Sequence, residues 1–284
     1  MIIVETLQDL DLHISNFKKV GKFVGFAPTM GALHEGHLSL IRKAKRECDA
    51  VVCSIFVNPT QFNNAEDLAK YPITKEQDES MLRKAKCDIL FRPNVKEMYP
   101  ENFKNLHKID FGFLAETLEG EFRPGHFDGM AQIVEKLVRA VNCDVLYMGQ
   151  KDFQQAAIVG KMLQVLKMDV KLVICPIIRE KDGLAMSSRN VQLDAKAKKT
   201  ALELSKTLRY LKRLIQTSDT LLPKEIIEKG QTRLAKFPEI TVEYLAWRKI
   251  DSLKSFTKRP QINASVLLVA AWVGGVRLID NVLV

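Results

Sequence analysis

Several features that would settle a function class are missing from this sequence. Among its 284 residues there are five cysteines: Cys48, Cys53, Cys87, Cys143 and Cys175. Their number is odd and no CxxC pair occurs, which speaks against a disulfide framework. Cys53 and Cys175 sit inside apolar runs and read as reduced, buried thiols of a reducing compartment. Long hydrophobic runs are missing too. The longest, ASVLLVAAWVGGV at 264–276, is too short to span a bilayer. No cationic stretch followed by an apolar core opens the sequence. The expectation is a soluble, cytoplasmic chain that engages no membrane. There is no internal repeat and no low-complexity tract. No Ser–His–Asp or Cys–His pattern offers a protein nucleophile. Histidine is scarce, with five in all.

What is present is a large apolar fraction, 46%, ample for one big core or two modest ones. Lys and Arg outnumber Asp and Glu by 43 to 34, a formal net charge of +9. That surplus favours anionic partners such as nucleotides, carboxylates, phosphates or nucleic acid. Short apolar runs at 23–28, 50–57, 87–93, 144–149 and 170–178 alternate with helical patterns at 36–48, 75–86, 129–141 and 154–166. Near-continuous apolar strands between helices predict an α/β fold with a doubly wound parallel sheet covered on both faces. The ligand crevice of such a sheet lies beyond the carboxyl ends of its strands. After about residue 190 the pattern changes to a basic helix at 194–215, a helix after Pro223, and strand-like runs at 240–247, 264–273 and 276–284. This predicts a second, smaller α+β domain. The expected division is 1–178 and 179–284, with the boundary inside 179–190.

Two of the five histidines, His34 and His37, stand three apart in HEGH where the first long helix begins. A helix N-terminus offers unpaired N–H groups and the positive end of the dipole, which suits phosphate. Imidazoles at i and i+3 share a face and add donors there. Gly36 between them lets a flat base or a phosphate approach the backbone. The alternative is a glycine near a helix start with two incidental histidines. Zinc fits less well, because helical zinc pairs usually stand at i, i+4, and no third ligand is in view.

Gly149, Gln150, Lys151, Asp152, Gln154 and Gln155 crowd the carboxyl end of a strand, where such sheets bind ligands; otherwise Lys151 is a solvated loop lysine. Met186, Ser187, Ser188, Arg189 and Asn190 form a loop suited to phosphate, since Arg grips it bidentately and Ser donates. Ser188 or Asn190 would equally cap the next helix. Asn58 and Gln61 offer amides beside the crevice, or simply an Asn-Pro turn. Arg123 and His126 flank Pro-Gly before a helix, which would also serve as a rigid turn. Together, HxGH and a later MSSRN form a two-part signature of a Rossmann-like nucleotidyltransferase. Such a site positions groups and spreads positive charge while a substrate oxygen attacks.

Six blocks carry a closer likeness: PTMGALHEGHLSLI (28–41), FVNPTQF (56–62), GEFRPGHFDG (120–129), GQKDFQQ (149–155), DGLAMSSRN (182–190) and RLIDN (277–281). In content, order and spacing the sequence resembles the pantothenate synthetase (pantoate–β-alanine ligase) family, densely to residue 190 and thinly beyond. The resemblance implies a homodimer of two-domain subunits that uses ATP and Mg²⁺. It implies that pantoate's carboxylate attacks the α-phosphate to give pantoyl adenylate and pyrophosphate, and that the amine of β-alanine then releases AMP and pantothenate. It implies catalytic roles for His34, His37, Lys151 and Arg189, with Ser187 and Ser188 also on the phosphates. Pro28, Thr29, Met30, Gly36, Gly149, Gln150, Asp152, Ile178 and Met186 would complete the ATP site. Gln61 and Gln155 would hold pantoate, with Met30, Asn58 and Arg123 beside them. Asp78 matches an acidic position near the metal.

The sequence departs from the family in three places. Ile73 stands where the family has a basic residue, the acidic cluster before Asp78 is thinned to KEQD, and 243–253 carries an unusual Trp247 and Arg248. Two other readings remain. One is a nucleotidyltransferase that stops at an adenylylated product, against which Gln61 and Gln155 argue. The other is an RNA-binding relative of a tRNA synthetase, prompted by Lys196, Lys198, Lys199, Lys206, Arg209, Lys212 and Arg213. A solvated helix face explains those cations as well, and no partnership with nucleic acid is expected.

Overall fold

Six parallel strands form the larger sheet: β1 (Ile2–Val4), β2 (Val24–Thr29), β3 (Ala50–Ile55), β4 (Ile89–Phe91), β5 (Val145–Gly149) and β6 (Lys171–Cys175), in the order β1-β4-β3-β2-β5-β6. The computed structural model describes residues 1–62, 65–100, 108–256, 258 and 264–284, so Asn63 and Asn64 of the polar segment after Asn58 lie outside the described residues. The central strands are buried almost throughout, as a sheet covered on both faces requires. The covering helices are α1 (Leu7–Lys19), α2 (Glu35–Glu47), α3 (Ala65–Ala69), α4 (Lys75–Lys84), the short α5 (Val95–Met98), α6 (Phe113–Glu116) and α7 (Glu119–Phe122), then α8 (His126–Val141) and α9 (Phe153–Val165).

The chain runs outward from β2 through β3 to β4, then returns to the other side of β2 with β5. That reversal opens a crevice at the carboxyl ends of β2 and β5. It is where the HEGH and GQKD segments emerge.

The expected doubly wound sheet is present, with one more strand than the five that the apolar runs predict. The pattern assigns nothing to residues 1–22. The structure places edge strand β1 and helix α1 there. β1 has three residues, too few to show a period. α1 buries only Leu10 and Ile14, so its apolar stripe is narrow. β6 stops at Cys175 rather than 178, because Pro176 has no N–H to continue a ladder. α8 begins at His126 rather than 129.

The remaining helices, α10 (Ala195–Thr217) and α11 (Pro223–Leu234), pack on an antiparallel sheet of β7 (Ile240–Lys249), β8 (Ser265–Val273) and β9 (Val276–Leu283), in the order β7-β8-β9. Gly274 and Gly275, at φ 57 and 76, make the tight β8–β9 turn, which needs positive φ at both positions. One buried cluster draws only on residues from Leu184 to Val284. Two others draw on Val4 to Cys175, and a small group around Leu118, Ala246, Leu253 and Leu268 joins the halves. The unusual Trp247 is absorbed in the smaller core, where its indole N–H donates to Ser265 Oγ at 2.9 Å. On α10, Lys196, Lys198 and Lys206 pair with Glu239, Glu180 and Glu203, which accounts for part of that helix's basic face.

All five cysteines are free, and Cys53, Cys87, Cys143 and Cys175 are buried. Burial pushes the Cys87 and Cys143 thiols up to about 12, so they pack rather than react. Among the described residues no helix is long and apolar enough to cross a membrane.

Candidate active site

The turn that leaves β2 is held from below. Asp78 is buried, and its carboxylate accepts the N–H groups of Ala32 and Leu33 at 2.9 and 2.8 Å and the Thr74 hydroxyl at 3.0 Å. These bonds fix a strained backbone, with Ala32 at φ 47, and they aim residue 34 at the crevice.

His34 is the N-cap of α2. Its Nδ1 accepts the Gly36 N–H at 3.1 Å, and His37 Nδ1 accepts the His34 N–H at 3.4 Å. The rings stack at 4.1 Å. Because each Nδ1 is an acceptor, each ring proton sits on Nε2. Burial lowers the His34 pKa to about 4, helped by the nearby Lys151 ammonium, and lowers His37 to about 3, helped by His34 and Lys151. Both side chains are therefore neutral Nε2–H donors near pH 7. A Cβ on Gly36 would meet His34 Cε1 at 2.7 Å and Nδ1 at 2.8 Å. A side chain at position 36 would thus press on the imidazole of His34, while Gly36 itself borders the cleft.

Lys151, from the turn after β5, lies 3.9 Å from Asp152. The far wall is the segment 176–189. A short hairpin there pairs Arg179 with Ala185, and Met186 N–H donates to Ile178 O at 3.0 Å. Ser188 Oγ donates across to Ala32 O at 3.1 Å, and Ser187 Oγ accepts the Arg189 N–H at 3.3 Å. The Arg189 guanidinium lies over the Tyr71 ring at 5.9 Å.

One cleft gathers Pro28, Thr29, Met30, His34, Gly36, His37, Asn58, Gln61, Gly149, Lys151, Asp152, Gln155, Ile178, Met186, Ser187, Ser188 and Arg189. Its floor is apolar, with Phe56 and Met148 beside Met130, Ile133, Val134 and Leu137 of α8. An adjoining compartment adds Arg123 and His126 to Met30, Gln61, Lys151, Gln155 and Arg189. There His126 is buried, with Nδ1 at 2.8 Å from Gln61 O and Nε2 at 3.1 Å from Arg123. Burial, then the Arg123 charge, lowers its pKa to about 4. Neutral His126 donates to Gln61 O and accepts from Arg123.

Two expected residues are placed differently. Gln150 turns its amide to Asn281 Oδ1 at 3.0 Å and is not among the cleft-lining residues. Asp78 sits behind the turn, with its oxygens already taken by N–H and hydroxyl donors. Sequence reasoning attached no role to Asp280 and Asn281. They tie the last strand to the site, and RLIDN among the family blocks was the one signal of them. It also missed Glu119, a buried carboxylate between Arg277 and Tyr244, because those two partners lie 158 and 125 residues away.

A resident metal does not fit this donor set. Among the described residues no group of three or more His, Cys, Asp or Glu gathers to hold an ion. Among the described residues, Asp152 is the one carboxylate on the cleft lining. Magnesium prefers several oxygens and retained waters. The cleft suits an ion that arrives on a phosphate, not one that the chain holds by itself.

Comparison with known proteins agrees with this geometry. The profile of the pantoate-beta-alanine ligase family matches residues 2–283. A pantothenate synthetase from Cytophaga hutchinsonii is 45% identical over 284 residues, covering 100% of this chain and 99% of that protein. The solved pantothenate synthetase of Thermus thermophilus superposes with a TM-score of 0.92 at 38% identity, covering 99% of both chains. A pantoate-beta-alanine ligase from Francisella tularensis, solved in complex with beta-gamma ATP and beta-alanine, has a TM-score of 0.78 at 34% identity, covering 100% of this chain and 97% of that one. With a whole-length profile match and a shared fold around the same cleft, the chain belongs to the pantoate–beta-alanine ligase family.

Proposed function

We propose that this chain condenses pantoate with β-alanine at the expense of ATP, giving pantothenate, AMP and pyrophosphate through a pantoyl adenylate. A carboxylate oxygen of pantoate bonds to the α-phosphorus of ATP as the bond to pyrophosphate breaks. The amine of β-alanine then bonds to the acyl carbon and loses a proton, and AMP leaves with the electron pair of the broken carbon–oxygen bond. The observation that carries this reading is the pair of neutral Nε2–H donors at His34 and His37, facing Lys151 at the sheet's switch point.

In this reading the two histidines and Lys151 meet the charge that develops on the α-phosphate. Neutral donors strengthen as that charge grows, and preorganised donors need no rearrangement. Arg189, Ser187 and Ser188 close on the phosphates from the far wall. Gln61 and Gln155 orient pantoate's polar groups without adding charge, while the apolar floor receives its methyl-bearing carbons. Pro28, Thr29, Met30, Gly149, Asp152, Ile178 and Met186 line the nucleotide's side. ATP enters as its magnesium complex, and the ion is part of the substrate.

The separate buried clusters support a division into 1–178 and 179–284. The family resemblance supports a homodimer, and the free, mostly buried cysteines support a cytoplasmic setting. Sedimentation as only a 32.2 kDa species at micromolar concentration would overturn the dimer, and recovery of the native protein outside the cytoplasm would overturn the setting.

The activity is tested by mixing the protein with ATP, pantoate and β-alanine and assaying AMP and pantothenate. A second assay omits β-alanine and follows pantoate-dependent exchange of labelled pyrophosphate into ATP. Both signals are expected. Exchange without pantothenate would mean an enzyme that stops at the adenylate, and neither signal would end the proposal.

A further inference from the structure

The end of β9 reaches both phosphate-facing segments through adjacent residues. Asn281 is 2% exposed. Its Nδ2 donates to Gln150 O and Lys151 O, both at 2.9 Å, and its Oδ1 accepts from Gln150 Nε2 at 3.0 Å. Flipping the amide would face an oxygen toward two carbonyls, so its orientation is fixed. Asp280, also buried, takes Arg179 bidentately at 2.7 and 2.9 Å, and its Oδ1 accepts the Asn281 N–H at 2.7 Å. Arg179 opens the hairpin that delivers residues 186–189 to the cleft. The two segments follow the neighbouring strands β5 and β6, whose pairing ends at Gly149 and Cys175. Beyond that pairing, Asp280 and Asn281 give them a common reference.

We propose that Asn281 is a positioning residue for the adenylation step: it fixes the 150–152 turn, and with it Lys151, while Asp280 registers the opposite loop through Arg179. The proposal rests on the reading of Lys151 as a phosphate-facing group. Asn281 borders the adjoining compartment but not the nucleotide cleft, and both hydrogens of its amide are spent on the carbonyls of Gln150 and Lys151, so it acts through the backbone it holds. Small misplacement of a reacting group costs up to about a hundredfold in rate. Loss of Asn281 should therefore appear in kcat more than in the KM for ATP.

The test is a double-mutant cycle on pantoate-dependent pyrophosphate exchange, using the full chain. Asn281→Ala is expected to lower kcat by roughly 10- to 100-fold with a much smaller change in KM. Asn281→Ser keeps one donor and should fall between it and wild type. Should Asn281→Ala fail to fold, Asn281→Ser carries the test. In a Lys151→Ala background, Asn281→Ala should add almost nothing, because residues acting as a unit are not additive. Fully additive losses, or wild-type exchange by the folded Asn281 variants beside an impaired Lys151→Ala, would overturn the positioning role alone. Wild-type exchange by Lys151→Ala would sink the reading of the site along with it.

Discussion

The wall that carries His34 and His37 and the wall that carries Ser187, Ser188 and Arg189 face one cleft but are tied by contacts of very different span. On the first, the bonds that orient the rings run between residues two and three apart, and Asp78 supplies a support some 45 positions on. On the second, Arg179 reaches Asp280 across 101 residues, and Ser188 reaches Ala32 across 156. The histidine wall forms wherever the strand, turn and helix start form. The loop wall has its shape only when β9 and the β2 turn are both in place. The same distinction separates chemistry that one segment can encode from chemistry that needs the finished fold.

The comparison breaks most sharply at the histidines. His34→Ala and His37→Ala are each expected to lose about 10²–10³ in pyrophosphate exchange, the usual cost of one preorganised donor to a developing charge. The His34 ring also caps α2, so His34→Ala should be destabilised by about 0.5–2 kcal/mol. His34→Asn should restore the melting temperature, and only part of the exchange. A folded His34→Ala,His37→Ala variant with full exchange would leave that wall a purely structural cap.

A smaller effect is expected at Gly36. In Gly36→Ala the new methyl presses on the His34 ring, so the ring must move. Exchange should fall by up to about a hundredfold, with the far wall untouched. Equal losses of exchange in Gly36→Ala and in a variant of the loop wall, together with lowered cooperativity of melting, would show that the two walls are not separable.

A further test separates the walls by acid. His34, His37 and His126 titrate near 4, 3 and 4 in the folded protein, against about 6.5 for an unfolded histidine. Below about 6.5 the unfolded chain binds protons that the native one refuses, so stability falls as pH drops from there toward 4. Residues 179–190 contain no histidine. Thermal melts between about pH 7 and pH 5 should show the drop, and His34→Asn,His37→Asn should reduce it. A melting temperature that stays level over that range in the wild type would mean the rings are charged in the native protein.

The same contrast sets what was legible beforehand. PTMGALHEGH could be read because an apolar strand, a turn and a helix start obey local rules, and all of its chemistry falls within ten residues. The alternation of strands and helices gave the sheet for the same reason. MSSRN was legible as chemistry but not as architecture, since nothing in its spacing points to Asp280. Gln150 looked like a ligand group because it stands among residues that line the cleft; its actual partner, Asn281, lies 131 residues on. Asp78 was set near a metal by the family resemblance alone, whereas in the fold it accepts two amides of a strained turn. β1 went unseen because three residues carry no period, and only pairing with β4 makes them a strand.

Asn281 also gives the site an order in time. The chain is made from its N-terminus at roughly 5–20 residues per second. Gln150 and Lys151 therefore leave the peptidyl-transfer centre roughly 7–26 s before the residue that holds their carbonyls. On the positioning proposed for Asn281, a nascent chain can fold its histidine wall well before it can present Lys151 in reactive register. Unfinished chains should then bind nucleotide weakly and make no adenylate. Pantoate-dependent exchange by ribosome-bound chains stalled before Val276 would contradict this.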